Sequence, residues 1–347
     1  MKSMRCKLVE QGFKVGSCLT QRGDILKQAC EVTLKKVNKT WYRLIKSAHL
    51  SRPEHYFSIY QSGCNHSCLK CHSWEFTQIV NGNWLSTIQI GLLAEKYERE
   101  VTVQEPRERA TMWHATDLCR SCGSCIMYGR RSIQCPGVLS SEQIVLSPQG
   151  FGPARNIVAF TGGDLTCFVD FYCQVAKEIK KNCENMWVLI ETNGYGLTLE
   201  NLDRLKDSGV DSFWLDIKAW DKEIYRKLCG VANEWILKTP YEILKRDFVL
   251  EVLTLFIPGW VEDDQIEKIS KLLFELNPNI PLTILAFFPA YKMKEAKSPS
   301  LNDMIRIYKK VKEIGLKNVK LGNYGMFVKT NQDWELLLKE VGINGIG

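Results

Sequence analysis

From Arg155 onward, short apolar runs alternate with amphipathic stretches, and this rhythm restricts the chain to one class of fold. Ile157-Val158-Ala159-Phe160, Trp187-Val188-Leu189-Ile190 and Phe213-Trp214-Leu215-Asp216-Ile217 are near-continuous apolar runs, as strands buried on both faces of a sheet require. Residues 249–256 and 282–286 read the same way, and Val319-Lys320-Leu321 is a shorter last strand. Between the first two runs, Leu165, Phe168, Val169, Tyr172, Val175, Ala176 and Ile179 fall at three- and four-residue steps, which places them on one helix face. Ile266, Ile269, Leu272, Leu273 and Leu276 repeat the pattern, as do Met304, Ile307, Tyr308 and Val311. Leu199, Leu202 and Leu205 mark a helix that stops at Gly209, a residue suited to a helix C-terminus. Asp221 reads as the cap of a short helix, and Ser300 with Asp303 as a capping-box start.

Strands alternating with helices specify βα units and a parallel sheet. With residues 57–60 counted, six strong strands precede the short one at 319–321. That number predicts an α/β fold, a partial (β/α)6 TIM-like barrel. Its strand-to-helix turns would open on one face, where the active sites of such barrels sit. Two segments would meet there: Cys64-Asn-His-Ser-Cys68-Leu-Lys-Cys71 after the first strand, and Thr161-Gly162-Gly163-Asp164 after the second.

Three cysteines inside eight residues can place three thiolates around one face of an iron–sulfur cluster but cannot supply a fourth. Structural zinc and ferredoxin sites take four protein ligands. Three ligands leave one metal position for a substrate or cofactor. Half of a zinc site and a loop of buried free thiols are the alternatives. In the turn, two glycines let backbone approach a ligand closely, and a carboxylate can accept from an ammonium group. Glu191-Thr192-Asn193-Gly194 and Asp216-Ile217-Lys218 end the next two strands. By themselves they are a turn and a strand-end ion pair.

The Cys-x3-Cys-x2-Cys loop resembles the signature of radical S-adenosylmethionine (SAM) enzymes. Taken in order with the later segments, it resembles the pyruvate formate-lyase (glycyl radical enzyme) activating enzyme family. The likeness continues through Tyr225–Gly230, Phe256–Trp260 and Phe288–Met293, and covers roughly residues 56–79 and 155–325. Departures are specific. Lys70 replaces an aromatic residue, Asp164 a Glu, Leu165 a Pro, Glu191 an Asp, and Phe288 a His. The resemblance implies that Cys64, Cys68 and Cys71 hold a catalytic 4Fe–4S cluster. It implies that Gly162, Gly163, Asp164, Glu191, Asn193, Asp216 and Lys218 hold SAM, with a monovalent cation beside the cofactor in some members. It implies reductive cleavage of SAM to a 5′-deoxyadenosyl radical and hydrogen abstraction from a backbone glycine of a protein partner, with ferredoxin or flavodoxin as reductant. Modification of another protein or of a small molecule is the second reading. An iron–sulfur or zinc-binding scaffold without chemistry is the third.

A second group, Cys119-Arg-Ser-Cys122-Gly-Ser-Cys125 with Cys135-Pro136, has the pattern of a bacterial ferredoxin cluster. Zinc is its runner-up, and structural cross-linking its plainest role. Some activating enzymes carry a ferredoxin-like insertion at this place, which implies an auxiliary 4Fe–4S cluster on these four residues. Of the other cysteines, Cys6, Cys18 and Cys30 occur singly, and Cys167, Cys173, Cys183 and Cys229 fall on or beside helices. All read as small buried hydrophobes, with a third metal site the alternative for Cys6, Cys18 and Cys30 that nothing in the sequence supports. His66 and His72 read as polar neighbours of the cluster loop, and Trp74 as a cover for cluster or adenine or as a core aromatic.

Fourteen cysteines without a secretion signal point to a reduced, cytoplasmic protein that spends cysteine on metal, in an anaerobic host. No segment reaches membrane-span length. A net charge of +7 on scattered lysines and arginines reads as solvated helix faces, against a nucleic-acid partner. The expected organisation is an N-terminal extension over 1–55, the barrel over 56–79 and 155–325, an insertion over 80–154 and a C-terminal segment over 326–347. Within the extension, residues 9–16 read as a strand pair.

Overall fold

The computed structural model describes residues 6–347. Its centre is a ten-stranded sheet in which seven parallel strands stand in chain order. They are Phe57–Gln61, Ile157–Gly162, Trp187–Thr192, Ser212–Asp216, Val249–Phe256, Leu282–Ala286 and Val319–Gly322. Each pairs in parallel register with the one before, beginning with Phe57 opposite Val158 and ending with Leu285 opposite Gly322. The strands form because both of their faces are covered. Ile157, Val158, Ala159 and Phe160 have no exposed surface, and neither do Val188 and Leu189. Side chains near the C-terminal ends of the second to sixth strands, with Cys64 and Asn323, line one cavity. The sheet is therefore curved around an interior, an open partial barrel.

The helices follow the caps read from the sequence. Asp221 accepts from the backbone N–H groups of Glu223 and Ile224 at 2.9 and 2.8 Å and starts the helix Lys222–Cys229. Ser300 and Asp303 cap each other's backbone at the start of Leu301–Ile314. Val169–Asn182 begins later than its apolar pattern, because Leu165–Phe168 is spent on the turn that follows Asp164.

Two features lay outside the βα pattern. The strand Thr40–Leu50 pairs antiparallel with Phe57–Gln61 and carries Leu34–Val37 and Asn83–Ser86 on it, so the sheet continues into residues before and after the first barrel strand. The strand pair expected over 9–16 is instead the short helix Lys7–Glu10, which buries Leu8 and turns at Gly12 with φ +84° into a loop. At the other end, residues 105–118 stopper the N-terminal mouth of the barrel. Fully buried Arg155 donates to Glu105 Oε1 at 3.1 Å and to the carbonyls of Arg109 and Thr111. Glu251 Oε2 accepts from Trp113 N–H at 2.8 Å, and Lys320 donates to Trp113 O, Thr116 and Asp117. A buried ion pair without such added bonds costs more in desolvation than it returns. Here the carbonyls and hydroxyls of the plug complete the coordination. Among the described residues, no helix is long and apolar enough to cross a membrane.

Candidate functional site

The cysteine loop leaves the first strand at its C-terminal end and is fixed by neighbouring loops. Asn65 N–H donates to Asp164 O at 2.9 Å, Ser67 N–H to Cys229 O at 3.1 Å and Leu69 N–H to Leu228 O at 2.8 Å. Arg43, with no exposed surface, reaches up from the antiparallel extension and donates to the carbonyls of Ser62, Gly63 and Gly163 at 3.2, 3.1 and 2.9 Å. The glycine turn is glycine for a steric reason. A Cβ on Gly163 would lie 2.1 Å from Gly63 O, and Gly162 has φ +86°. The cysteine loop and the turn after the second strand are therefore in backbone contact.

Cys64, Cys68 and Cys71 line a cavity of about 430 Å³ at this end of the barrel, together with Gly162, Asp164, Glu191, Asn193, Asp216 and Lys218. Gly163 packs behind that wall against Gly63. Asp164 is buried, and both oxygens are engaged. Oδ1 accepts from Thr166 N–H at 2.7 Å, and Oδ2 accepts from the Thr192 hydroxyl at 2.6 Å and from Asn193 N–H at 2.9 Å. Asn193 in turn donates to Asn65 Oδ1 at 2.7 Å and lies 3.8 Å from Cys64 Sγ. Asp164 thus ties three loops together, a task its short side chain suits.

Burial, with Lys218 nearby, pushes His66 down to about 3, so its imidazole is neutral at pH 7. It sits between Asn65 Oδ1 at 2.8 Å and Tyr225 OH at 3.2 Å. Lys218 is desolvated, yet Asp216 and the thiols of Cys68 and Cys229 hold its ammonium above the usual range. Asp216 and Lys218 form an ion pair. Burial pushes the Cys64 thiol up, with Asp164 adding to it. Cys68 is raised first by its contact with Cys229 and then by burial. A metal reverses that cost, since coordination deprotonates the thiol. The Glu191 carboxyl turns toward Tyr56 OH at 3.0 Å and the Thr161 hydroxyl, and burial lifts it to about 8.

Several residues here gave no sequence signal. Arg43 looks like any surface arginine, and Cys229 read as packing but shares the cavity wall beside Cys68. Lys70, where relatives carry an aromatic residue, lies 3.7 Å over the ring of Phe288, itself in place of a His. The two departures are partners in one cation–π contact. Trp74 stacks on Tyr291 at 5.2 Å, and His72 meets Phe288 edge-on.

Cys119, Cys122, Cys125 and Cys135 line a second cavity of about 230 Å³. Ser121 N–H donates to Cys119 Sγ at 3.3 Å. His55, two residues ahead of the first barrel strand, approaches Cys119 O at 3.2 Å, and Arg120 donates to the carbonyls of Ile343 and Ile346. This group therefore lies at the N-terminal end of the barrel, beyond the plug from Cys64. Among the described residues, no three His, Cys, Asp or Glu side chains surround a single-ion position. Each cysteine group instead borders a chamber, and a donor set of thiols around a chamber fits a multi-iron cluster.

The model of the radical SAM superfamily matches residues 119–273. A Methanocaldococcus jannaschii protein named, provisionally, as a glycyl-radical enzyme activating enzyme is 32% identical over 164 residues, 46% of this chain and 59% of that protein. An uncharacterised protein of the same organism is 24% identical over 77% of this chain and 63% of its own length. The chain thus spans about three-fifths of the length of these curated relatives. A domain of pyruvate-formate lyase-activating enzyme from Bacteroides vulgatus superimposes with a TM-score of 0.42 at 20% identity, covering 48% of this chain and 98% of that one. The sequence comparisons agree with the motif resemblance: this chain resembles the radical SAM superfamily and, within it, the activating enzymes of glycyl radical proteins.

Proposed function

We propose that this chain is a radical SAM enzyme of the activating-enzyme type, with Cys64, Cys68 and Cys71 as ligands of its catalytic 4Fe–4S cluster. The observation that carries the reading is the single cavity at the C-terminal strand ends. Its wall holds all three thiols, and the loop bearing them is hydrogen-bonded to Asp164 and Asn193. A cluster held by these thiols, with SAM bound and an external one-electron donor such as ferredoxin or flavodoxin, would supply 5′-deoxyadenosyl radical chemistry for hydrogen abstraction from carbon.

The residues of this chain shape and dry that site. Asp164, through Thr192 and Asn193, fixes the loop after the third strand against the cysteine loop. Asp216 and Lys218, an ion pair on the cavity wall, would offer a carboxylate and an ammonium to the polar end of the cofactor. Neutral His66 buttresses Asn65 without adding charge beside the thiolates. The plug over 105–118 closes the far mouth, so the substrate approaches from the cysteine side. For the activating-enzyme reading the substrate is a glycine of a partner protein, and Cys119, Cys122, Cys125 and Cys135 hold an auxiliary 4Fe–4S cluster.

One observation favours the second reading, modification of another protein or of a small molecule, in its small-molecule form. Glu54 Oε2 and Trp214 Nε1 are buried in the cavity wall without hydrogen-bond partners. The deciding experiment uses anaerobically reconstituted protein with dithionite and SAM. Formation of 5′-deoxyadenosine supports the class, and a glycyl radical doublet on a candidate partner supports the activating role. Deoxyadenosine without that doublet on any partner transfers the assignment to the second reading. No cleavage by a reduced, fully loaded cluster refutes both.

A further inference from the structure

Four cysteines that the sequence scatters over 162 positions come together in the fold. Cys6 caps the helix Lys7–Glu10, Cys18 precedes the hairpin strand Leu19–Arg22, Cys30 lies on Ala29–Thr33, and Cys167 follows the turn after the second barrel strand. Backbone bonds join the segments in pairs. Ala29 N–H donates to Cys18 O at 2.7 Å, which sets Cys18 against Cys30. Gln11, one turn past Cys6, donates its side-chain amide to Cys167 O at 3.1 Å. All six pairings among the four thiols are close enough for the charge of one thiolate to bear on the other. Cys18, Cys30 and Cys167 are buried, and Cys6 is half-buried at the rim.

Plain packing does not account for this gathering. The segment these thiols anchor buries Leu8 and Ala29 and packs Phe13 on Tyr195 and Trp235, but most of its other apolar side chains are open. Val9, Val15, Leu19, Ile25 and Leu26 are 52%, 53%, 58%, 58% and 65% exposed. A short segment with so little buried apolar surface needs a cross-link or a metal to hold it. Four thiols from four separate segments supply the donor set of a closed tetrathiolate centre.

We propose that Cys6, Cys18, Cys30 and Cys167 ligate a further iron–sulfur cluster that clamps residues 6–30 to the back of the Asp164 turn. The proposal does not depend on the radical reading of Cys64, Cys68 and Cys71. With four protein ligands the centre is closed, so it binds no substrate. Its place is three residues beyond Asp164, and loss of the centre frees the N-terminal segment from the loop that borders the cavity.

The test is metal and sulfide analysis of the full chain, purified and reconstituted anaerobically. In one variant the seven other candidate ligands (Cys64, Cys68, Cys71, Cys119, Cys122, Cys125 and Cys135) are replaced by alanine. That variant is expected to keep about four irons with sulfide per chain. In the complementary Cys18→Ser/Cys30→Ser variant the same metal is lost relative to the parent, while Cys173→Ala/Cys183→Ala leaves the content unchanged. Loss of iron with sulfide supports the cluster. A folded seven-alanine variant that holds no iron and sulfide, or that holds zinc alone, overturns it, as does a Cys18→Ser/Cys30→Ser variant with unchanged content.

Discussion

Replacing Asp164 separates its two roles, tying loops and meeting the cofactor. The carboxylate accepts three hydrogen bonds, from Thr166 N–H at 2.7 Å, Thr192 OH at 2.6 Å and Asn193 N–H at 2.9 Å, and is only 4% exposed. Hydrogen bonds to a charged group contribute about 1.5–3 kcal/mol each, and donors left buried without partners cost a similar amount. The three share one acceptor and are not additive. Asp164→Ala is therefore expected to cost about 3–5 kcal/mol. Asp164→Asn keeps the shape but turns an amide N–H₂ toward at least one of these donors, so about 1–2 kcal/mol is expected. Urea unfolding of the metal-free chain at pH 7 reads both, as a lower midpoint at unchanged slope. Cofactor binding is measured separately on the loaded protein. If Asp164→Ala leaves the urea midpoint unchanged, the carboxylate is not a structural tie. The loop geometry then has another origin.

Other perturbations test the neighbouring claims. Gly163→Ala places a Cβ 2.1 Å from Gly63 O and 2.9 Å from Gln61 O. Because both are backbone atoms, a loss of several degrees in thermal midpoint is expected. Replacing any one of Cys64, Cys68 or Cys71 by alanine is expected to abolish 5′-deoxyadenosine formation and remove about four irons, checked by iron and sulfide assay. Burial raises Glu251 to about 7, against accepted bonds from Trp113 and Thr283 that act the other way. The folded chain therefore binds a proton there that the unfolded chain releases above about 4.5. This contribution is complete below that pH and is lost as pH rises toward 7, at most on the order of 3 kcal/mol. Glu251→Gln should flatten stability against pH across that window. An unchanged slope would show that Glu251 is ionised throughout.

The barrel was legible because its strands are buried on both faces, so Ile157–Phe160 and Trp187–Ile190 stand out as apolar runs from any surface segment. Asp221 and Ser300 were legible because a cap is a local event within three residues. Thr40–Leu50 escaped that logic. It joins the sheet by an antiparallel pairing, and its buried Arg43 and intermediate Tyr42 break the alternation a strand would show. Arg155 and Lys320 are charged residues that the plug helps make tolerable inside, and nothing near them in sequence announces the plug. Cys64, Cys68 and Cys71 are close in sequence and were readable as a set. Cys6, Cys18, Cys30 and Cys167 are a set only in space.

The chain-ordered sheet has a consequence for how the molecule assembles. From Ile157 onward each strand pairs with its immediate predecessor, so contacts are local and the sheet can grow in the order of synthesis. The exception is the pairing of Phe57–Gln61 with Ile157–Gly162, which must close the long interval holding the plug and the second cysteine group. Loop-closure entropy falls on that one step. It is also the step that brings Asn65 to Asp164. Until it is complete, the thiols of Cys64, Cys68 and Cys71 stand without their backing. Metal supplied after this closure meets a formed chamber; metal supplied before it meets a flexible chelating peptide.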